Sequence, residues 1–165
     1  MKYLLSLTLT IVYILFGNEL GYTQTSAWYT HITYMFQHAN LWHLSVNILS
    51  LITVWISLQR HAKSIQILPM FIVGILASFL PYASFELPTV GISGVIYAML
   101  GMLTVLSTSI REKVMLSVFA ILTITAGLIT KNVNVALHAY CYIFGVIYMF
   151  SYVVIILNKY AKNVE

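Results

Sequence analysis

Six stretches of this chain are apolar over most of the length needed to cross a lipid bilayer, with only short polar breaks between them. They lie near 3–17, 41–59, 65–82, 92–110, 113–130 and 136–157. A spanning helix takes about 20 mainly apolar residues, so the first and fourth are on the short side. The predicted fold class is therefore all-α: a polytopic membrane protein of six transmembrane helices, forming a single domain over residues 1–165. Composition agrees. The chain is 61% hydrophobic and 7% charged, where a soluble domain would carry roughly a quarter charged residues. Lipid has to solvate such a surface.

The first run follows Met1-Lys2 and ends near Phe16, which also suits a signal peptide. No A-x-A-like cleavage site follows it; the chain continues Gly17-Asn18-Glu19-Leu20-Gly21. A retained first helix is expected. Twelve tyrosines and three tryptophans suit interfacial belts, with Trp28, Trp42, Tyr82 and Tyr160 near the expected helix ends.

The cations set a topology. Lys2 precedes the first span, Arg60 and Lys63 separate the second and third, Arg111 and Lys113 the fourth and fifth, and Lys159 and Lys162 follow the sixth. Six spans put all of these on one side. The other side carries Glu19, Glu86 and a lone cation, Lys131. By the positive-inside rule both termini are expected to be cytoplasmic. The net charge of +4 is read as topology, and no basic stripe points to nucleic acid. The compact chain suits a prokaryotic plasma membrane.

Three of the expected spans begin on the outer side, and each begins with polar residues. His43 and Asn47 share a face in the first turns of the second span, Ser93 opens the fourth, and His138 lies in the first turn of the sixth. Polar groups inside a membrane are costly and face a bundle interior or an aqueous cavity. Serine becomes a nucleophile when a base takes its proton, and both His138 and His43 are candidate bases. There is no aspartate, and Glu19, Glu86, Glu112 and Glu165 all fall in loops or at the terminus. A Ser–His dyad is therefore expected in place of a triad. The pair left over, His43 and Asn47, is suited to donate to an oxyanion together with the Ser93 backbone N–H.

These residues carry a resemblance. His38-Ala39-Asn40-Leu41-Trp42-His43-Leu44-Ser45-Val46-Asn47 looks like an H-x4-H-x3-N signature, and Gly91-Ile92-Ser93-Gly94 like a G-x-S-G motif. Tyr97 follows one turn later, and His138 with Gly145 resembles H-x-x-G-x-x-x-G. In order, spacing and depth the chain resembles the rhomboid intramembrane serine proteases, as a minimal six-helix form. The resemblance implies Ser93 as nucleophile and His138 as general base. It implies an oxyanion hole of His43, Asn47 and the Ser93 N–H, with Tyr97 packed on the histidine and His38, Gly91 and Gly94 in support. It implies hydrolysis of a peptide bond in or near a transmembrane segment, with single-span or other transmembrane proteins as substrates, membrane lipid around it, and neither metal nor organic cofactor. Two positions depart from the pattern. Cys141 stands where the first glycine of the last motif would be, which predicts slightly wider helix spacing. Trp28-Tyr29-Thr30-His31 lacks the arginine that often anchors the first loop.

Other readings are weaker. His31, His38, His43 and His138 form no compact zinc ligand set, and Val95 in place of a glycine excludes a G-x-S-x-G elbow. A rhomboid-like protein that binds membrane clients without cutting them is the alternative, and it would need the fold but not the dyad. A small transporter would show an inverted repeat or intramembrane carboxylates, and this chain has neither. The fifth span and the Ala83–Val90 and Lys131–Val135 loops are the segments expected to move when substrate enters.

Overall fold

The computed structural model describes residues 1–62, 67–83, 87–130 and 133–162. Lys63, Glu86, Lys131 and Glu165 lie outside those residues, as do the first two positions of the third expected span and parts of both loops expected to move. Among the described residues there are seven α-helices and no strand of a sheet. They are α1 (Lys2–Leu15), α2 (Thr30–Thr33), α3 (Leu41–His61), α4 (Leu68–Ser78), α5 (Ser93–Leu106), α6 (Ile110–Ala126) and α7 (Val135–Lys162). Six of them answer to the six apolar stretches. The seventh, α2, is a single turn within the first loop, which also holds 3-10 turns at Asn18–Leu20 and Tyr34–Phe36.

Two helices, α3 and the Val135–Lys159 part of α7, are long and apolar enough to cross a membrane. The others are shorter than expected, for local reasons. Among its described residues the third stretch is helical over the 11 residues of α4 alone. Pro81 disfavours helix in the residue before it, and Tyr82 takes φ 63, so the chain turns there. The fourth stretch stops at Leu106, because Ser107 is extended with ψ 135 and its hydroxyl donates to Glu112 Oε2 at 2.6 Å. That bond draws Arg111 and Glu112, expected in a loop, into the first turn of α6.

The core is centred on α5, which packs on α3, α4, α6 and α7, most extensively on α7. Along α5, Val95, Ala98, Met99, Met102 and Leu103 are buried. Without a hydrophobic force between helices in lipid, close packing of small residues holds such a bundle. The α5–α7 crossing follows that rule. A Cβ on Gly145 would overlap the Ala98 carbonyl, and one on Gly101 the Tyr142 carbonyl. Cys141 is buried, and its sulfur fills space that Gly94 leaves, 3.1 Å from where a Cβ of Gly94 would stand. The backbones thus meet most closely one turn beyond Cys141.

Outward faces are apolar: Leu4, Leu7 and Ile14 on α1, Phe119 and Leu122 on α6, Ile147 and Phe150 on α7. Hydroxyls on such helices bond back to the preceding turn, as Thr8 to Leu4 O at 3.0 Å and Thr53 to Leu49 O at 2.8 Å. At one end of the bundle Lys2 Nζ donates to Gln59 Oε1 at 3.3 Å and His61 Nε2 lies 3.6 Å from Glu112 Oε1. The start of α1, the end of α3 and the start of α6 therefore share that end.

Candidate active site

The N-terminal ends of α3, α5 and α7 meet at the opposite end of the bundle, around a cleft of about 310 Å³. Each helix begins where its sequence says it should. Asn40 caps α3, its side-chain oxygen accepting from His43 N–H at 2.8 Å. Asn134 does the same for α7, accepting from Leu137 N–H at 3.0 Å. Asparagine is among the best residues for this position, and each such cap is worth about 1 kcal/mol. α5 has no side-chain cap; it starts straight from Ile92, leaving its first backbone N–H groups without intrahelical partners. Three helix N-termini give the cleft a positive local field.

Ser93, His43 and His138 all line this cleft. Ser93 Oγ and His138 Nε2 are 2.8 Å apart. The Tyr97 ring stacks on the His138 ring at 4.5 Å between centroids. The other ring nitrogen of His138, Nδ1, is buried and has no hydrogen-bond partner among the described residues. When Nε2 accepts from the serine, Nδ1 must carry the ring's own proton.

Gly91 takes φ +115, a conformation that side chains rarely adopt. A Cβ there would stand 2.9 Å from His43 Cε1 and 3.4 Å from Asn47 Nδ2, so this glycine lets the turn before Ser93 lie against both. Its N–H donates to Tyr34 O at 2.8 Å. Asn47 is buried behind the cleft wall, with its Nδ2 unpaired among the described residues. His38 is buried too, its ring edge-on to His43 at 5.2 Å. Burial, aided by the neighbouring His43, pulls His38 down to about 4, so it is neutral at physiological pH. Gly94 faces away from the cleft, toward Cys141.

All eight residues singled out in the sequence thus lie around the start of α5. With that geometry stands one comparison: the family model for the rhomboid domain matches residues 25–155. The chain belongs to the rhomboid family. No curated protein matches it. Rhomboids are in general intramembrane serine proteases, and this one is an all-helical membrane protein.

This rhomboid holds its first loop without the arginine expected there. Tyr22 and Thr89 exchange backbone bonds of 3.2 and 2.8 Å. Tyr22 is buried, stacks on His31 and meets Tyr34 edge-on. His31 stacks in turn on Phe79, and its Nδ1 pairs with Ser78 Oγ at 2.9 Å. His31 thereby clips the loop to the end of α4. Tyr22, Thr89 and Asn134 were not singled out in the sequence. An asparagine just ahead of the last apolar run was the available signal for Asn134. The Tyr22–Thr89 pairing joins residues far apart in the chain and leaves no local pattern.

Proposed function

We propose that this rhomboid is a serine endopeptidase that hydrolyses peptide bonds in or near transmembrane segments of membrane proteins. The observation that carries this reading is the 2.8 Å pair of Ser93 Oγ and His138 Nε2 in the wall of an open cleft. Ser93 Oγ attacks the scissile carbonyl carbon while its proton passes to His138 Nε2. The tetrahedral oxyanion takes hydrogen bonds from the Ser93 N–H, His43 and Asn47, whose unpaired Nδ2 is a donor in waiting. Each such donor is worth roughly 3 kcal/mol of barrier. On collapse the C–N bond breaks, His138 returns the proton to the leaving amine, and water releases the acyl group from Ser93 by the same route. No metal or organic cofactor takes part in this scheme.

In this reading α1, α3, α4, α5, α6 and α7 are the six spans, and α2 lies in the outer loop. The end carrying Lys2, Arg60 and Arg111 is cytoplasmic, so both termini are cytoplasmic and the cleft opens toward the outer side of a prokaryotic plasma membrane. Substrates are single-span or other transmembrane proteins.

Purified wild-type protein is expected to cleave a single-span substrate and to label with a fluorophosphonate, and Ser93→Ala to lose both. Cleavage that persists in Ser93→Ala overturns the proposal. Wild type that binds such substrates without turnover identifies the client-binding alternative instead.

A further inference from the structure

His138 lacks the partner that usually orients a catalytic imidazole. Its Nδ1 is buried and unpaired among the described residues, and the chain has no aspartate. Ring stacking on Tyr97 fixes the plane of the imidazole but not the position of the helix that carries it. That position is set elsewhere. Asn134 is buried at 7% exposure and holds the first turn of α7 twice. Its carbonyl accepts from the His138 N–H itself at 3.2 Å, and its side-chain oxygen accepts from Leu137 N–H at 3.0 Å.

The same side chain ties that turn to two other loops. Asn134 Nδ2 has three acceptors within reach of its two N–H groups: Thr89 Oγ1 at 3.0 Å, Tyr22 OH at 3.2 Å and the Ala83 carbonyl. Tyr22 OH donates to that carbonyl as well, at 2.6 Å. Thr89 lies four residues before Ser93 and is bridged to Tyr22 by two backbone bonds. One amide therefore joins the turn that carries His138 to the strap that leads into Ser93, and both to the first loop. A plain helix cap would need only its oxygen; here the nitrogen bonds outward, to the other half of the site.

We propose that Asn134 is a positioning residue for the Ser93–His138 pair. It fixes the start of α7 against the approach to α5, and so does through the backbone what a carboxylate on Nδ1 does in a triad. This rests on the reading of Ser93 and His138 as the reacting pair. Tyr22 is its relay to the first loop.

The test compares wild type, Asn134→Thr, Asn134→Ala, Tyr22→Phe and Ser93→Ala, each purified as the full chain. Threonine keeps an oxygen to cap α7 and loses the amide that reaches the other loops. Phenylalanine keeps the Tyr22 ring and loses its hydroxyl. Three quantities are read: kcat and KM for a single-span substrate, the rate of fluorophosphonate labelling, which needs the dyad but no docked substrate, and the folded fraction by thermal melting. Asn134→Thr is expected to lower kcat and labelling together, about 10- to 100-fold as a misplaced reacting pair does, with KM within about twofold. Tyr22→Phe is expected to do so less. A rise in KM with unchanged labelling would place Asn134 in substrate docking and overturn the proposal. So would unchanged kcat, or a loss explained fully by the folded fraction. If Asn134→Ala does not fold, Asn134→Thr and Tyr22→Phe decide. Wild type that neither cleaves nor labels sinks the dyad reading and this proposal with it, whereas active wild type with indifferent Asn134 variants sinks this proposal alone.

Discussion

Gly145 of α7 lies against Ala98 of α5 so closely that a Cβ on the glycine would overlap the alanine carbonyl oxygen. His138 stands two turns before that crossing on one helix, and Ser93 about a turn and a half before it on the other. The crossing therefore sets how far apart the two side chains are. Gly145→Val is expected to force α5 and α7 apart, to lower thermal stability by about 1–3 kcal/mol as overpacking does, and to reduce turnover at least tenfold. Turnover of the folded protein decides it. A stable variant with wild-type turnover would show that the crossing does not govern the site.

Cys141 is the opposite case. Its sulfur occupies room left by Gly94, and the closest backbone approach lies beyond it. Cys141→Gly, which completes the H-x-x-G-x-x-x-G motif that this stretch resembles, is expected to leave cleavage within about threefold. It should cost stability through the intrinsic penalty of helical glycine, about 1 kcal/mol. Parallel melting and cleavage assays separate the two effects.

Gly91→Ala should be far more damaging to activity than its size suggests. The φ of +115 is strained for alanine, at a cost of order 1–3 kcal/mol, and the added methyl would strike the His43 ring. Relaxing either conflict moves the turn before Ser93 or the donor opposite it. A kcat loss that exceeds the loss of folded protein is the expected signature.

The buried imidazole of His38 should make stability depend on pH. Its value falls from about 6.5 when unfolded to about 4 in the fold, through burial and the adjacent His43. Between those values the unfolded chain binds the proton and the folded chain does not. This contribution is therefore constant above about pH 6.5, and stability is lost as pH falls from there toward 4, by about 3 kcal/mol over the window. His38→Asn is expected to flatten that part of the melting-temperature profile. A profile identical to wild type between pH 4 and 6.5 would refute it.

Only Ala120 of α6 is buried, so this helix, like α1 with its one buried residue Leu9, is loosely seated in the bundle. Its hold on α7 includes Tyr142 OH donating to Ser117 Oγ at 3.4 Å. If substrate enters sideways past α6, a disulfide between engineered cysteines on α3 and the outer half of α6 should suppress cleavage of a transmembrane substrate and restore it on reduction. Fluorophosphonate labelling should change much less. Cleavage that survives the cross-link would exclude entry by that route.

Much of this molecule can be read from the sequence by period and spacing. The apolar runs mark six of the seven helices, because a helix facing lipid must be apolar over nearly its whole length. His43 and Asn47 read as one helix face because four residues make about one turn. Helix ends were less legible. α4 stops where Pro81 and Tyr82 turn the chain, and α6 begins early because Ser107 reaches Glu112, a contact set by side-chain geometry that hydropathy does not register.

What the sequence by itself determined is the set of groups available: one serine between glycines, two histidines and an asparagine at helix starts, and no aspartate to complete a triad. Those follow from residue identity and from the cost of placing polar groups in lipid. The tertiary structure decided what those groups meet. It brought Ser93 to 2.8 Å from His138 across 45 residues, left Nδ1 without a partner, and gave Asn134 a place between three loops. Such contacts depend on how closely two helices pack, and at Gly145 and Ala98 that distance is set by the absence of a side chain on one and the position of a carbonyl on the other.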